Sequence, residues 1–182
     1  MKFLEDNIER VLLSKEEIAD KISVMAQEMG AYYQGREVVL VCILKGSVTF
    51  FSDLARELSF PVTYDFMCVS SYGNGAVSGG SVRINKDLSV DITDKHVVIV
   101  EDILDTGNTL FALFEQLKSR RPASLKLCCL LDKPERRQKP VEADFVGFCI
   151  SDEFVVGYGL DYGEQYRQLP YVGVLKRSVY EK

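Results

Sequence analysis

Two spacings of apolar residues alternate along the chain, and each predicts a different kind of element. Residues 15–34 carry apolar side chains at steps of three and four, which is typical of a helix, and Ser14 with Glu17 makes a capping-box pattern at its start. Residues 38–44 are apolar throughout, as in a strand covered on both faces, and helical spacing returns over residues 48–58. This part of the chain therefore predicts a helix followed by a strand–loop–helix unit.

A second strand–loop–helix unit is predicted further along. Residues 97–100 are all β-branched, a polar loop follows, and residues 110–117 show helical spacing before a third apolar strand at 125–131. Such alternation predicts an α/β fold, with a mainly parallel twisted sheet flanked by helices. In sheets of this kind ligands bind at the carboxyl ends of the strands, so the chemistry is expected in the loops that follow them.

Between the two units lies a segment with the composition of a loop. Residues 62–69 and 81–86 are predicted strands, and the stretch 70–80 between them holds four glycines and three serines. We interpret this stretch as a mobile loop or hairpin tip. Because no repeat or Ser/Gly linker divides the sequence, we expect one domain over residues 1–182, with its core at about 38–175.

Composition and charge exclude several classes of protein. With 47% apolar and 27% charged residues, the 182-residue chain resembles an average soluble globular domain. A net charge of −5 argues against a general nucleic-acid-binding surface, and no apolar run approaches the roughly 18 residues of a membrane span. Five cysteines without a C-x-x-C pair and a start without a signal-peptide pattern favour a reducing, cytoplasmic location.

Motif searches remove other candidates. The single histidine makes a multi-histidine zinc site or a Ser/His or Cys/His catalytic pair within one chain improbable. The phosphate-binding loop of Walker ATPases is absent from the sequence. The nearest match to the dinucleotide-binding G-x-G-x-x-G pattern, at 73–79, has Ser78 where the third glycine should be.

The most informative segment is residues 97–110. A buried strand ends in Glu101 and Asp102, Asp105 follows, and residues 106–109 open a helix with backbone N–H groups and two threonine hydroxyls, as in a phosphate-monoester site. The same composition also suits an ordinary N-capped helix after an acidic strand end. Two carboxylates would repel a phosphate unless they face sugar hydroxyls or a divalent cation. A phosphorylated ribose with Mg²⁺ meets all of these demands.

This segment, a strand with an acidic pair and D-T-G-x-T, resembles the motif of the type I phosphoribosyltransferases that binds 5-phosphoribosyl 1-diphosphate (PRPP). The resemblance implies the type I fold, with a small hood built from the N- and C-terminal segments and a mobile lid loop at about 70–80. The residues it assigns to PRPP are Lys45, Gly46, Glu101, Asp102, Asp105, Thr106, Gly107, Asn108 and Thr109. Asn108 departs from relatives that carry a lysine there.

Other loops are similar to those of hypoxanthine-guanine phosphoribosyltransferases. Residues 44–47, Leu-Lys-Gly-Ser, resemble the loop that holds pyrophosphate, in which the Leu-Lys peptide can be cis. Residues 70–73 resemble the lid, which gives Ser71 and Tyr72 that role. Arg167 resembles the arginine that pairs with pyrophosphate.

The same resemblance assigns a purine site and a metal site. Lys133 resembles the lysine that contacts the exocyclic oxygen of a 6-oxopurine, and Phe154 the ring that stacks on the base. The full assignments are Ile103, Lys133, Phe154, Val155 and Asp161 for the purine, and Glu101, Asp102 and Asp161 for Mg²⁺. Glu153 is an acid where some relatives carry a lysine, and Arg136, Arg137 and Lys139 are expected to be solvated charges.

The resemblance implies a purine salvage enzyme. Hypoxanthine and guanine would react with PRPP to give IMP or GMP and pyrophosphate, with Asp105, Lys45 and Arg167 as catalytic residues, and with the chain as a homodimer or homotetramer. A preference for xanthine is an open alternative. So is a PRPP-sensing regulator that grips nucleic acid, although the acidic net charge argues against a nucleic-acid partner. A flavodoxin-like receiver would leave residues 106–109 without a role.

Overall fold

Fifteen short elements build a large sheet, a small sheet and the helices around them in a computed structural model that describes residues 2–71 and 82–181. In chain order the helices and strands are α1 (Lys2–Glu5), β1 (Ile8–Leu13), α2 (Lys15–Tyr33), β2 (Val38–Leu44), α3 (Val48–Glu57), β3 (Val62–Ser71), β4 (Val82–Lys86), β5 (His96–Leu104), α4 (Asn108–Lys118), β6 (Ser124–Asp132), β7 (Phe145–Cys149), β8 (Val155–Val156), β9 (Val172–Leu175) and α5 (Arg177–Tyr180). A 3₁₀ turn, Pro134–Arg136, follows β6.

The large sheet has the strand order β4-β3-β2-β5-β6-β7. All neighbouring pairs are parallel except β3 with β4, so the carboxyl ends of β2, β5 and β6 lie side by side at one edge. The small sheet, β1-β9-β8, is antiparallel and joins the two ends of the chain. We call this small sheet and its loops the hood. The predicted α/β fold with a mainly parallel sheet is confirmed.

The core lies on both faces of the large sheet, because side chains alternate along each strand. In β2, Val38, Leu40 and Cys42 face a cluster with α2 and α3, and the intervening residues face a second cluster with α4. The first cluster also takes in hood residues, which places the hood above the strand ends. A small third cluster inside the hood, the hood cluster, consists of Val156, Tyr166, Leu169 and Leu175.

Several predicted boundaries are confirmed within a residue or two. Helix α2 starts at the predicted place, and both halves of the Ser14–Glu17 capping box form. Strand β5 is longer than predicted, since it continues past Val100 to Leu104 by pairing with β6. Strand β7 was not predicted, and the apolar stretch after Phe154 gives only a two-residue strand because positive φ angles at Gly157 and Tyr158 end it. Among the described helices, none has the length and apolar run needed to cross a bilayer.

Candidate active site

A cavity of about 280 Å³ opens at the carboxyl ends of β2 and β5. The chain thus brings together predicted residues from two loops that are far apart in sequence. Those lining the cavity are Gly46, Glu101, Asp102, Ile103, Asp105, Thr106, Gly107, Asn108 and Thr109. Predicted residues outside its lining are Lys45, Lys133, Phe154, Val155, Asp161 and Arg167.

Glu101 and Asp102 form the acidic floor of this cavity. Loss of solvation raises the pKa of Asp102 to about 6. Two contacts act in the opposite direction and lower this pKa: the Ile103 N–H, which donates to Oδ1 at 2.8 Å, and the positive charge of Arg167. Loss of solvation, followed by the charge of Asp102, raises the pKa of Glu101 well above its usual value. The pair therefore favours a ligand that supplies a cation or hydroxyl donors.

The loop between β5 and α4 surrounds the acidic floor with backbone groups. Gly107 is the N-cap of α4 and has a φ of +78°, a conformation that a residue with a side chain rarely adopts. The carbonyl oxygen of Gly107 accepts the first helical bond, from Phe111 N–H at 2.8 Å. Because the N-terminus of a helix favours anions, this loop can receive a phosphate group.

The loop after β2 lies tightly against the acidic floor, and the Leu44–Lys45 peptide bond in it is cis, as the resemblance implied. A Cβ on Gly46 would lie 1.8 Å from Oδ2 of Asp102, so only glycine fits there. On the other side, a Cβ on Gly159 would lie 2.0 Å from the carbonyl oxygen of Gly46. The loop is therefore held between β5 and the hood without room for larger residues.

Three ion pairs link the predicted pyrophosphate residues to two hood carboxylates. Lys45 lies 3.0 Å from Glu164, which also meets Arg167 at 3.4 Å. Arg167 pairs with Asp161 at 2.8 Å and donates to the carbonyl oxygen of Gly159 at 2.8 Å. Glu164 was missed by sequence reasoning, because an exposed glutamate in a loop gives no signal of its own. These pairs hold both cations beside the cavity.

Lys133 is almost completely buried at the end of β6, with only 5% of its surface exposed. Its Nζ donates to the carbonyl oxygen of Glu153 at 2.6 Å, and burial lowers the pKa of the ammonium group. Glu153 itself binds Arg10 of β1 through both carboxylate oxygens at 2.6 Å. The charge of Glu153 is thus neutralised by Arg10 of the hood, and its backbone carbonyl accepts the hydrogen bond from Lys133.

The expectation that Arg137 is a solvated charge is wrong. Its side chain is 16% exposed and pairs with Asp132, while Nε donates to the carbonyl oxygen of Asp105 at 2.9 Å and Nη2 to that of Leu104 at 3.3 Å. Nη1 donates to the carbonyl oxygen of Val141. Arg137 therefore connects the end of β6 to the start of the phosphate-binding loop.

The neighbours of Arg137 differ from it in exposure. Arg136 is 44% exposed and Lys139 is exposed, as expected, although Arg136 lies 3.1 Å from the carboxylate of Asp105. The Gln138 N–H donates to the carbonyl oxygen of Thr106 at 2.9 Å, and its side chain accepts from Asn108 at 2.9 Å. The Asn108 side chain thus bonds the phosphate loop to the segment after β6 through Gln138. A lysine at position 108 would place a positive charge there instead.

A hard divalent cation suits the donor set of the acidic floor, which consists of carboxylate oxygens only. Among residues 2–71 and 82–181, no three His, Cys, Asp or Glu side chains are grouped so that they could hold a metal alone. Mg²⁺ commonly uses one or two carboxylates together with substrate phosphates and water. Glu101 and Asp102 therefore fit a magnesium ion that arrives with a phosphorylated ligand.

The predicted lid is only partly described. Ser71 is the last residue of β3, while Tyr72 and most of the stretch 70–80 lie outside the described residues. The lid assignment therefore stays a prediction.

A family model described as a phosphoribosyl transferase domain matches residues 8–163. The chain belongs to this family. The chain is 46% identical over 179 residues to a hypoxanthine-guanine phosphoribosyltransferase of Streptococcus thermophilus, covering 98% of this chain and 99% of that protein. It is 47% identical over 178 residues to the enzyme of the same name from Bacillus subtilis, with 98% and 99% coverage.

A solved structure gives the same picture. A hypoxanthine phosphoribosyltransferase from Staphylococcus aureus superimposes with a TM-score of 0.95 at 48% identity, covering 99% of this chain and 98% of that one. The chain also matches bifunctional TilS/HprT proteins, with 47% identity to that of Listeria innocua, of whose length it spans 28%. The resemblance drawn from the D-T-G-x-T segment, and the type I fold that it implied, are both confirmed.

Proposed function

We propose that this chain is a purine salvage enzyme, which transfers the 5-phosphoribosyl group from PRPP to N9 of hypoxanthine or guanine. The products are IMP or GMP, with pyrophosphate. The observation that carries the proposal is the meeting of three loops at the adjacent carboxyl ends of β2, β5 and β6. Gly46 lies in the loop after β2, the acidic floor lies at the end of β5 just before the phosphate loop, and Lys133 begins the loop after β6.

We assign PRPP to the cavity because each of its chemical groups matches residues at one part of the lining. The 5-phosphate suits the N-terminus of α4, where Thr106 and Thr109 supply hydroxyl groups. The ribose hydroxyls suit Glu101 and Asp102, since hydroxyl donors satisfy carboxylates that have lost solvent. The diphosphate then points toward the loop after β2.

The reaction needs help mainly at the leaving group. Purine N9 attacks the anomeric carbon of PRPP as the bond from that carbon to the pyrophosphate oxygen breaks. Lys45 and Arg167, both ion-paired with Glu164 beside the cavity, are placed to offset the charge that develops on pyrophosphate. Glu101 and Asp102 would hold Mg²⁺, which would supply further positive charge near the leaving pyrophosphate. Asp105 lies at the cavity wall and is proposed to accept the proton that N7 of the base loses as N9 bonds to the anomeric carbon.

Preference among purines follows from the chemistry of Lys133. An ammonium group has only donors, so it pairs with the 6-oxygen of hypoxanthine or guanine and has no acceptor in the amino group of adenine. Lys133 is buried and already donates one N–H to Glu153, so a further N–H that faces adenine without an acceptor is costly, and adenine is expected to be a poor substrate. We further propose a cytoplasmic homodimer or homotetramer.

A spectrophotometric assay tests this function directly. The purified protein is given PRPP and Mg²⁺ with hypoxanthine, guanine, xanthine or adenine, and EDTA controls are run for each base. Metal-dependent turnover of hypoxanthine and guanine with little use of adenine is expected. PRPP binding without turnover of any base would refute the proposal and would favour a PRPP-sensing regulator.

The role of Asp105 has its own test. Asp105→Asn keeps the size of the side chain and removes the carboxylate that is proposed to accept the proton from N7. We expect kcat/KM for hypoxanthine to fall by about 10²-fold or more, the usual range for a general acid–base group. A kcat/KM within about twofold of the parent would remove Asp105 from this role.

A further inference from the structure

Phe154, the ring proposed to stack on the base, is itself stacked on a second ring. The centroids of Phe154 and Tyr180 lie 4.7 Å apart, with an interplanar angle of 22°. Tyr162 meets Phe154 edge-on, at 5.6 Å and 88°. Phe154 is nevertheless 37% exposed, so these two neighbours leave part of its ring accessible.

The position of Tyr180 is set by the hood. The N–H of Leu175 donates to the carbonyl oxygen of Phe154 at 2.8 Å, so β9 and the proposed stacking residue are directly bonded. Just before α5, the N–H of Lys176 donates to the backbone carbonyl oxygen of Asn7 at 2.9 Å. Tyr180 then packs, half-buried, against the hood cluster. The C-terminal helix is therefore anchored at both of its ends.

The packing of the residues that follow Phe154 indicates from which side Tyr180 reaches the ring. Val155 packs into the cluster below the hood, whereas Val156 belongs to the hood cluster. Phe154 is two residues from Val156 and so starts from the same side of the chain. Tyr180 packs against the hood cluster and therefore reaches the ring from the hood side. The exposed part of the ring is the part that a base held beside Lys133 can contact, and Lys133 binds the backbone of the preceding residue.

We propose that Tyr180 is a positioning residue for the purine base. By stacking on Phe154 from the hood side, it holds that ring in the orientation that receives the base and so backs the aromatic wall of the purine site. A ring that is ordered before binding loses less side-chain freedom when the ligand arrives. This inference rests on the proposed function, because it assigns Tyr180 to the base site of that reaction.

Kinetics of single variants test the proposal. Tyr180→Ala is compared with Tyr180→Phe, which keeps the stacked ring, and with Tyr64→Ala, which removes an exposed tyrosine that contacts Phe51 away from the cavity. In Tyr180→Ala we expect KM for hypoxanthine and Kd for IMP to rise about three- to tenfold, the range given by one aromatic pair. KM for PRPP and kcat should stay within about twofold of the parent, and both control variants should match the parent.

Other outcomes would overturn the inference. An unchanged KM for hypoxanthine would show that Phe154 needs no support, and a lower one would show that Tyr180 occupies the place of the base. A lower melting temperature with parallel rises in KM for both substrates would show a merely structural role. If the unaltered chain uses no purine, the proposed function fails and takes this inference with it, whereas an active parent with an unaffected Tyr180→Ala variant refutes the inference alone.

Discussion

Replacing Arg137 with methionine tests whether this buried arginine positions the phosphate-binding loop. Methionine keeps most of the aliphatic stem and removes the guanidinium. That group donates to the carbonyl oxygens of Leu104, Asp105 and Val141, and it neutralises Asp132, which is also only 16% exposed. The variant therefore leaves the carbonyl oxygens of Asp105 and Val141 and the carboxylate of Asp132 without this donor, whereas the carbonyl oxygen of Leu104 keeps the N–H of Lys133 at 2.9 Å.

The size of the effect follows from these contacts. A hydrogen bond to a charged group contributes about 1.5–3 kcal/mol, and removing one partner of a fully buried ion pair costs about 3–5 kcal/mol. Because some solvent reaches both Arg137 and Asp132, we expect a loss of about 3 kcal/mol in the free energy of unfolding. For a chain of this size, that lowers the melting temperature by about 6–12 °C.

Two measurements check the expectation. Thermal unfolding followed by circular dichroism gives the melting temperature, and steady-state kinetics gives KM for PRPP, which should rise about tenfold because the loop no longer holds its N–H groups in place. Arg137→Lys should recover only part of the loss, since an ammonium group cannot span the same acceptors. The control, Arg56→Met, removes a 72% exposed partner of Asp53 and should change stability by less than about 1 kcal/mol. If Arg137→Met has the same melting temperature as the control variant and the same KM for PRPP as the parent, the positioning role is refuted.

Three further predictions concern the cavity. Gly46→Ala should lower kcat/KM by more than about 10²-fold, because the added methyl group would collide with Asp102, and a fully active variant would contradict the packing described for this loop. The pKa of Asp102 rises from 3.8 to about 6 on folding, so the folded state binds more protons than the unfolded state between these values and stability falls as pH rises through them. Asp102→Asn should therefore melt higher than the parent at pH 8 and equally at pH 3, and melting curves with the same difference at both pH values would disprove this linkage. Lys133→Gln should lower kcat/KM for hypoxanthine about 10- to 100-fold and reduce the ratio of kcat/KM for hypoxanthine to kcat/KM for adenine, since the amide oxygen can accept from an amino group. Parallel assays of the two bases measure this ratio, and an unchanged ratio would contradict the role of Lys133.

The sequence alone determined the scaffold and most of the PRPP-binding loop. Strands β2, β5 and β6 are visible in the sequence as apolar runs. Both faces of a parallel sheet are covered, so the side chains on both sides of such a strand are mostly buried and apolar. The acidic pair and the residues 105–109 form one continuous segment, so their chemistry can be read without knowing the fold. The resemblance of this segment to a known motif then supplied the family.

Only the tertiary structure decided how isolated polar residues are used. Arg137 looks like its exposed neighbour Arg136, and Glu164 looks like any loop glutamate, because each has a partner 30 or more residues away that the local sequence does not show. These partners are the backbone of Asp105 for Arg137 and the side chain of Lys45 for Glu164. The same holds for Tyr180, whose neighbour Phe154 is brought to it by the pairing of β8 with β9. A periodic pattern reports burial against a whole face of a strand or helix, whereas a single loop side chain acquires its environment from whatever distant segment folds against it.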